Sequence, residues 1–197
     1  MANIFTNFFN NVDKKQAISW AFYDFANSAY MLLIFSFVFP IYFKENVVGV
    51  NLGDFYWGLA ISISILLGGL ASPIIGAIAD YDTRKKRKFI LFATLSMIGT
   101  ASLFFVKPGM LIFGLILFIL TNLFFEIAQI LYDSFLPHVT TKENSGKISG
   151  LGWGLGYLGG IIAMLLFKPL YEFGYITGFE QTYLLTFPLT ALFLLRK

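Results

Sequence analysis

The sequence contains no cysteine and only one histidine, His138, among its 197 residues. Disulfide-stabilised scaffolds are therefore excluded, and so are zinc sites built from cysteine and histidine ligands. We expect the protein to hold no metal and no cofactor.

Charge is also scarce. Charged residues make up 13% of the chain, against roughly a quarter in an ordinary soluble domain. Hydrophobic residues make up 57%, and they are gathered into long, nearly charge-free runs, as a lipid bilayer requires. The formal net charge of +3 does not indicate a nucleic-acid partner, because the basic residues lie where membrane topology would place them. The expected partners are membrane lipid and a small solute.

Six apolar segments predict an all-α membrane protein with six transmembrane helices. They are residues 17–43, 55–79, 89–106, 110–132, 148–167 and 182–195. Glycine and proline inside these segments do not oppose helix formation, since transmembrane helices tolerate both. The last segment is the weakest, because it is short for a span.

The distribution of lysine and arginine predicts that both termini are cytoplasmic. In that orientation the outside loops hold only Lys44, Lys107 and Lys168, and the other 11 of the 14 basic residues are inside. Residues 1–16 form a cytoplasmic segment with an apolar stripe, which predicts an interfacial helix, and residues 17–197 form the transmembrane domain. The composition favours a bacterial plasma membrane.

Two acidic residues, Asp24 and Glu126, lie inside the predicted spans, where charges are rare and point to function. A helical rise of about 1.5 Å per residue places both roughly 10 Å from the cytoplasmic side. No basic residue lies inside a span, so each carboxyl group must be protonated, be solvated in a cavity, or meet a cation.

Amide side chains extend these two positions into polar stripes. Asn27 follows Asp24 at i+3, and Asn122 and Gln129 flank Glu126 at i−4 and i+3, each set on one helix face. Two such stripes need a shared interior and predict a site for a proton or an amino-bearing solute. The alternative is that these groups are only interhelical hydrogen bonds.

The fifth segment is unusually rich in glycine. Gly152, Gly156 and Gly160 form one small-residue ridge, and a second ridge of glycines at 146, 150 and 154 lies about 200° around the helix. These ridges predict close helix packing on two sides, either static or as a surface that slides during transport. Trp153 and Tyr157, at i and i+4, are predicted to form an aromatic wall of the interior.

Enzyme activity is not expected. The sequence lacks a nucleophile with a placed base, a metal-ligand cluster, or the spaced acidic residues that membrane transferases need, and Asp80 with Asp82 does not supply them.

The loop after the second segment, Gly76-Ala-Ile-Ala-Asp80-Tyr-Asp-Thr-Arg84-Lys85, resembles the signature between helices 2 and 3 of major facilitator transporters. The resemblance implies that Gly76, Asp80, Arg84 and Lys85 form a cytoplasmic gate.

Three further stretches, residues 20–30, 132–137 and 149–160, narrow this similarity to the vacuole effluxer-like, autophagy-related family of the major facilitator superfamily. What it implies is a twelve-helix transporter that works by alternating access, with each six-helix half made of two inverted three-helix repeats. This chain would be an N-terminal half, and its partner would be a second half or another copy.

The leading interpretation is therefore a secondary transporter, or half of one, that moves a small solute such as an amino acid with proton coupling. The alternative is a truncated or non-transporting membrane subunit whose polar residues only pack. A channel is less favoured, because no repeated filter segment is evident.

Overall fold

The computed structural model describes residue 9, residues 12–81 and residues 84–195, with the backbone only at positions 80 and 81. The predicted interfacial helix lies almost entirely outside these ranges. Within them the regular structure is helical throughout, as the apolar segments predicted.

The described ranges contain nine α-helices, some of them extended by short π or 3₁₀ segments. They are α1 (Lys14–Ala29), α2 (Val38–Tyr42), α3 (Gly53–Tyr81), α4 (Lys85–Ser102), α5 (Leu111–Asp133), α6 (Leu136–Val139), α7 (Ser145–Thr177), α8 (Glu180–Leu184) and α9 (Thr186–Leu195). The π segments Tyr30–Ser36 and Phe43–Val48 follow α1 and α2.

Five helical stretches, some of them with a short turn or bend inside, are long and apolar enough to cross a membrane. They are Lys14–Val48, Gly53–Ala79, Lys85–Phe105, Leu111–Val139 and Ser145–Thr177. The sixth predicted span is helical but interrupted at Leu185, so that α8 and α9 are both short. The fold class is thus confirmed as all-helical, with five long apolar helices and a sixth, shorter segment.

The first span begins at a defined cap and bends in its second half. The Asp13 carboxylate accepts hydrogen bonds from the backbone amides of Lys15 and Gln16, at 2.9 and 3.2 Å, which satisfies helix donors that have no partner within the helix. Further along, Pro40 cannot donate a backbone hydrogen bond and crowds the preceding turn, and such positions bend helices. The helix widens into the π segment just before this proline.

Helix pairing builds the bundle around α1 and α5. α1 packs along α7, α5 packs against both α3 and α4, and α9 contacts α4 and α1. At the end of the bundle away from the start of α1, aromatic rings fill the core; for example, the ring centroids of Trp57 and Phe118 are 4.5 Å apart. Aromatic packing thus fills the core at that end, and the cavity lined by Asp24 and Glu126 lies at the opposite end.

Candidate functional site

A cavity of about 670 Å³ lies between α1, α5 and α7, at the end of the bundle where α1 begins. Its lining includes six of the seven residues that the sequence predicted for solute or proton binding. The lining residues are Trp20, Asp24, Asn27, Ser28, Met31, Phe125, Glu126, Gln129, Asp133, Leu136, Ser149, Trp153, Gly156 and Tyr157.

Asn122 is the one predicted binding residue that does not line this cavity. The shared interior that the two polar stripes predicted is therefore present: Asp24 and Glu126 face one space from two different helices. None of the described lining residues is basic.

A polar and aromatic seam joins α1 to α5 beside the cavity. The indole Nε1 of Trp20 donates to the backbone oxygen of Tyr132, at 3.3 Å, and the Tyr132 hydroxyl donates to the backbone oxygen of Trp20, at 2.9 Å. The two rings stack with centroids 4.6 Å apart. This reciprocal pair fixes the height of one helix against the other.

The amides continue the seam. Asn27 Nδ2 donates to Gln129 Oε1 at 2.7 Å, and Gln129 Nε2 donates to Asp133 Oδ1 at 3.3 Å. Asn27 and Gln129 thus line the cavity and also link the helices, so that the two roles weighed from the sequence coexist in them.

The position of Asn122 differs from the prediction that it lines the binding site. It is fully buried away from the cavity, where its Nδ2 donates to Ser64 Oγ of α3 and its Oδ1 accepts from the Tyr30 hydroxyl. The helical spacing placed it correctly on the face of Glu126. However, it lies one turn deeper, where α3 and the first span close over it, so its role in the structure is interhelical bonding.

One of the two glycine ridges is packed and the other is open. A Cβ at Gly152 would lie 3.1 Å from Asp24 Oδ2, and a Cβ at Gly156 would lie 2.8 Å from Ser28 Oγ. Gly160 is equally close to the Leu32 side chain, so this ridge lies against the first span. The ridge at 146, 150 and 154 has no atom within 4 Å, which corrects the prediction of close packing on two sides.

The Glu126 side chain also lies close against a glycine of a neighbouring helix, as Asp24 does against Gly152. Its Cγ lies 3.4 Å from the position that a Cβ would take at Gly68 of α3, and the residue remains partly exposed to the cavity. The absence of a side chain at Gly68 therefore leaves room for the Glu126 carboxyl between two helices.

Trp153 and Tyr157 line the cavity from α7, as predicted. Their ring centroids are 6.3 Å apart, and the two side chains are 63% and 66% exposed. They form an open aromatic wall of the cavity that the acidic side chains of α1 and α5 also line.

Asp133 is the acidic lining residue that sequence reasoning missed as a site. It was placed just beyond the end of the fourth span, where a charge is unremarkable. The structure extends α5 through Asp133, one further turn from Gln129 on the same face. The i+4 spacing from Gln129 is the signal that could have identified it.

The described residues of the predicted gate are less closely grouped than the residues that line the cavity. Gly76 has open space around it, Arg84 is exposed, and the Asp80 side chain lies outside the described residues. Lys85 Nζ donates to the backbone oxygen of Ser134 at 3.2 Å and lies 2.7 Å from His138 Nε2. Lys85 thus binds the end of α5, where a cation complements the helix dipole.

The family model described as "Vacuole effluxer Atg22 like" matches residues 56–171, which is more than half of the chain. The uncharacterized MFS-type transporter YxiO of Bacillus subtilis (strain 168) is 35% identical over 156 residues, which cover 77% of this chain and 36% of that protein. Autophagy-related protein 22 of Chaetomium globosum is 33% identical over 76 residues, covering 39% of this chain and 12% of that protein.

A third relative is the multi-drug resistance efflux pump PmrA of Streptococcus pneumoniae serotype 4. It is 33% identical over 163 residues, covering 75% of this chain and 38% of that protein. The chain thus spans little more than a third of the length of its bacterial relatives YxiO and PmrA. No solved structure is significantly similar to it.

Proposed function

The chain belongs to the vacuole effluxer Atg22-like family, and on that premise we propose that it forms half of a secondary transporter that moves a small solute by alternating access with proton coupling. The proposed solute carries an ammonium group, and amino acids are one such class. This proposal includes no enzymatic step.

The observation that carries the proposal is the position of Asp24 and Glu126 in one cavity of about 670 Å³ within the membrane-spanning part of the bundle. Carboxyl groups within spans are costly and persist where they serve a solute or ion path. In the proposed mechanism Asp24 binds the solute's ammonium group. Glu126 takes up a proton when the cavity is open to one side and releases it when the cavity is open to the other.

The helix contacts support an arrangement of two three-helix repeats. If α1, α3 and α4 form one repeat and α5, α7 and the α8–α9 segment the other, the first helix of each packs against the second helix of the other. The α1–α7 and α5–α3 contacts are those pairs. Inverted repeats of this kind build transporters whose binding site lies at the repeat interface.

The exposed rings of Trp153 and Tyr157 and the open glycine ridge at 146, 150 and 154 lie on α7. They support the proposal that a partner packs against this helix. We propose that the partner is a second six-helix half or another copy of this chain, with both termini in the cytoplasm of a bacterial cell. Gly76, Asp80 and Arg84 would then act as the cytoplasmic gate, with Lys85 anchoring the same corner to α5.

The test reconstitutes the purified protein into sealed liposomes and measures the uptake of labelled phenylalanine and phenethylamine. An imposed pH gradient should drive accumulation. Glu126→Gln mimics the protonated carboxyl group, so it should keep solute exchange and lose accumulation. Glu172→Gln is the matched control, because Glu172 lies on α7 beside Lys168 and away from the cavity lining.

Normal accumulation by the Glu126→Gln variant would remove Glu126 from proton coupling and return it to a packing role. Absence of any uptake or exchange by the unmodified protein would instead favour a non-transporting membrane subunit.

A further inference from the structure

The charge of the cavity lining has a single sign. Carboxylates from Asp24, Glu126 and Asp133 line the same space, and no Lys, Arg or His occurs among the described residues that line it. Like charges grouped in a partly buried cavity create a negative potential that attracts cations and repels anions. A solute carrying its own carboxylate would bring a further negative charge into this field.

Asp133 is held in place by the amide chain described above. Gln129 uses its oxygen to accept from Asn27, at 2.7 Å, which leaves its Nε2 to donate to Asp133, at 3.3 Å. The Asp133 carboxylate lies at the end of α5 and is exposed, so it stands at the mouth of the cavity. An arriving solute would meet it before the two deeper carboxyl groups.

The same cavity lining also offers apolar and aromatic surface. Trp153 and Tyr157 present largely exposed rings, and Met31 adds a flexible apolar side chain from the first span. Aromatic faces attract organic cations through their ring quadrupole, and methionine adapts to irregular shapes. The cavity lining therefore combines acidic groups with an exposed aromatic surface.

Building on the proposed transport function, we propose that the cavity selects an organic cation, an amine joined to an apolar or aromatic body and lacking a carboxylate, and that Asp133 is a specificity-determining residue at its mouth. The amine lies among the carboxylates, and the body of the solute lies against Trp153 and Tyr157. This narrows the class of ammonium-bearing solutes to those with a net positive charge.

The test compares three probes that share a phenyl ring and differ in charge: phenethylamine, phenylalanine and 3-phenylpropionate. Binding to the purified protein in detergent is followed by tryptophan fluorescence, since Trp20 and Trp153 line the cavity. We expect phenethylamine to bind at least about tenfold more tightly than phenylalanine, a difference of about 1.4 kcal/mol, and 3-phenylpropionate not to bind.

Asp133→Asn should weaken phenethylamine binding by about three- to tenfold through loss of one charge. Asp54→Asn, which removes a carboxylate that is 88% exposed and distant from the cavity lining, should leave the affinity unchanged. Equal binding of phenylalanine and phenethylamine, binding of none of the probes, or an Asp133→Asn variant with normal affinity would overturn the inference.

Measuring the uptake of the same probes distinguishes a failure of this inference from a failure of the proposed transport function. Uptake of phenylalanine but not phenethylamine would overturn the cation preference and leave the transporter assignment in place. Binding of phenethylamine without uptake of any probe would support the cation site and count against the transporter.

Discussion

The Asp24 carboxylate of α1 lies over Gly152 of α7, with its Oδ2 3.1 Å from the position that a Cβ would take there. Glu126 of α5 lies over Gly68 of α3 in the same way, with its Cγ at 3.4 Å. Each acidic side chain thus occupies space that a glycine on the neighbouring helix leaves open. The acidic residues and the glycines are therefore one structural feature, and changes at the glycines should move the carboxyl groups.

Gly156→Leu should destabilise the bundle, because its Cβ would already lie 2.8 Å from Ser28 Oγ and 3.5 Å from the Asp24 backbone oxygen. Overpacking of this kind costs about 1–3 kcal/mol. The measurement is the thermal unfolding midpoint of the purified protein in detergent.

Gly154→Leu is the matched control for that substitution. It makes the same change two positions away on the same helix, where a Cβ meets nothing within 4 Å. Both substitutions gain the same helix propensity, so their difference isolates the packing effect. Equal unfolding midpoints would contradict the close α1–α7 contact.

The length and low charge of the apolar segments were enough to predict the five long helices, since a span must be apolar over its whole length. The same reasoning predicted that Asp24 and Glu126 lie at the same depth in the membrane, and the structure places them in one cavity. The break at Leu185 was not predicted, although Pro188 follows it by three residues and lies in the first turn of α9, where a helix tolerates proline.

Details of the site depended on helix rotation, which a single sequence specifies poorly. Asn122 lies on the face of Glu126 but is covered by Ser64 and Tyr30, and only the packed bundle shows this. Likewise both glycine ridges look equivalent in sequence, whereas only the one through Gly156 meets the first span. Spacing predicts which residues share a face, and tertiary contacts decide what that face meets.

Lys85→Met should lower stability by about 1 kcal/mol, because Lys85 bonds the Ser134 carbonyl at the end of α5, where a positive charge is favoured. Lys86→Met is the control, since Lys86 is the next residue on the same helix and is exposed. Unfolding midpoints in detergent provide the measurement. A Lys85→Met variant with normal stability but a changed transport rate would assign Lys85 to the gate between halves instead.

Labelling of introduced cysteines should establish the membrane topology directly, because the chain has none of its own. Val50 is 80% exposed in the turn between the first two spans, so Val50→Cys should react with an impermeant maleimide added outside intact cells. Lys86→Cys should react only after the cells are opened. Outside labelling of position 86 would reverse the proposed orientation.

Asp24→Asn should weaken solute binding while leaving proton coupling intact, in contrast to Glu126→Gln. The asparagine keeps the size of the side chain over Gly152, so the α1–α7 contact is preserved and only the charge is lost. Removing one charged partner of a bound ammonium group should raise the transport KM by about tenfold or more. The ratio of accumulated to external solute under a fixed pH gradient should stay unchanged, because the proposed proton site at Glu126 is intact.

Asp54→Asn controls for the loss of one negative charge elsewhere on the chain. An Asp24→Asn variant with an unaltered KM but a reduced accumulation ratio would exchange the two roles, making Asp24 the proton site and Glu126 the group that binds the solute.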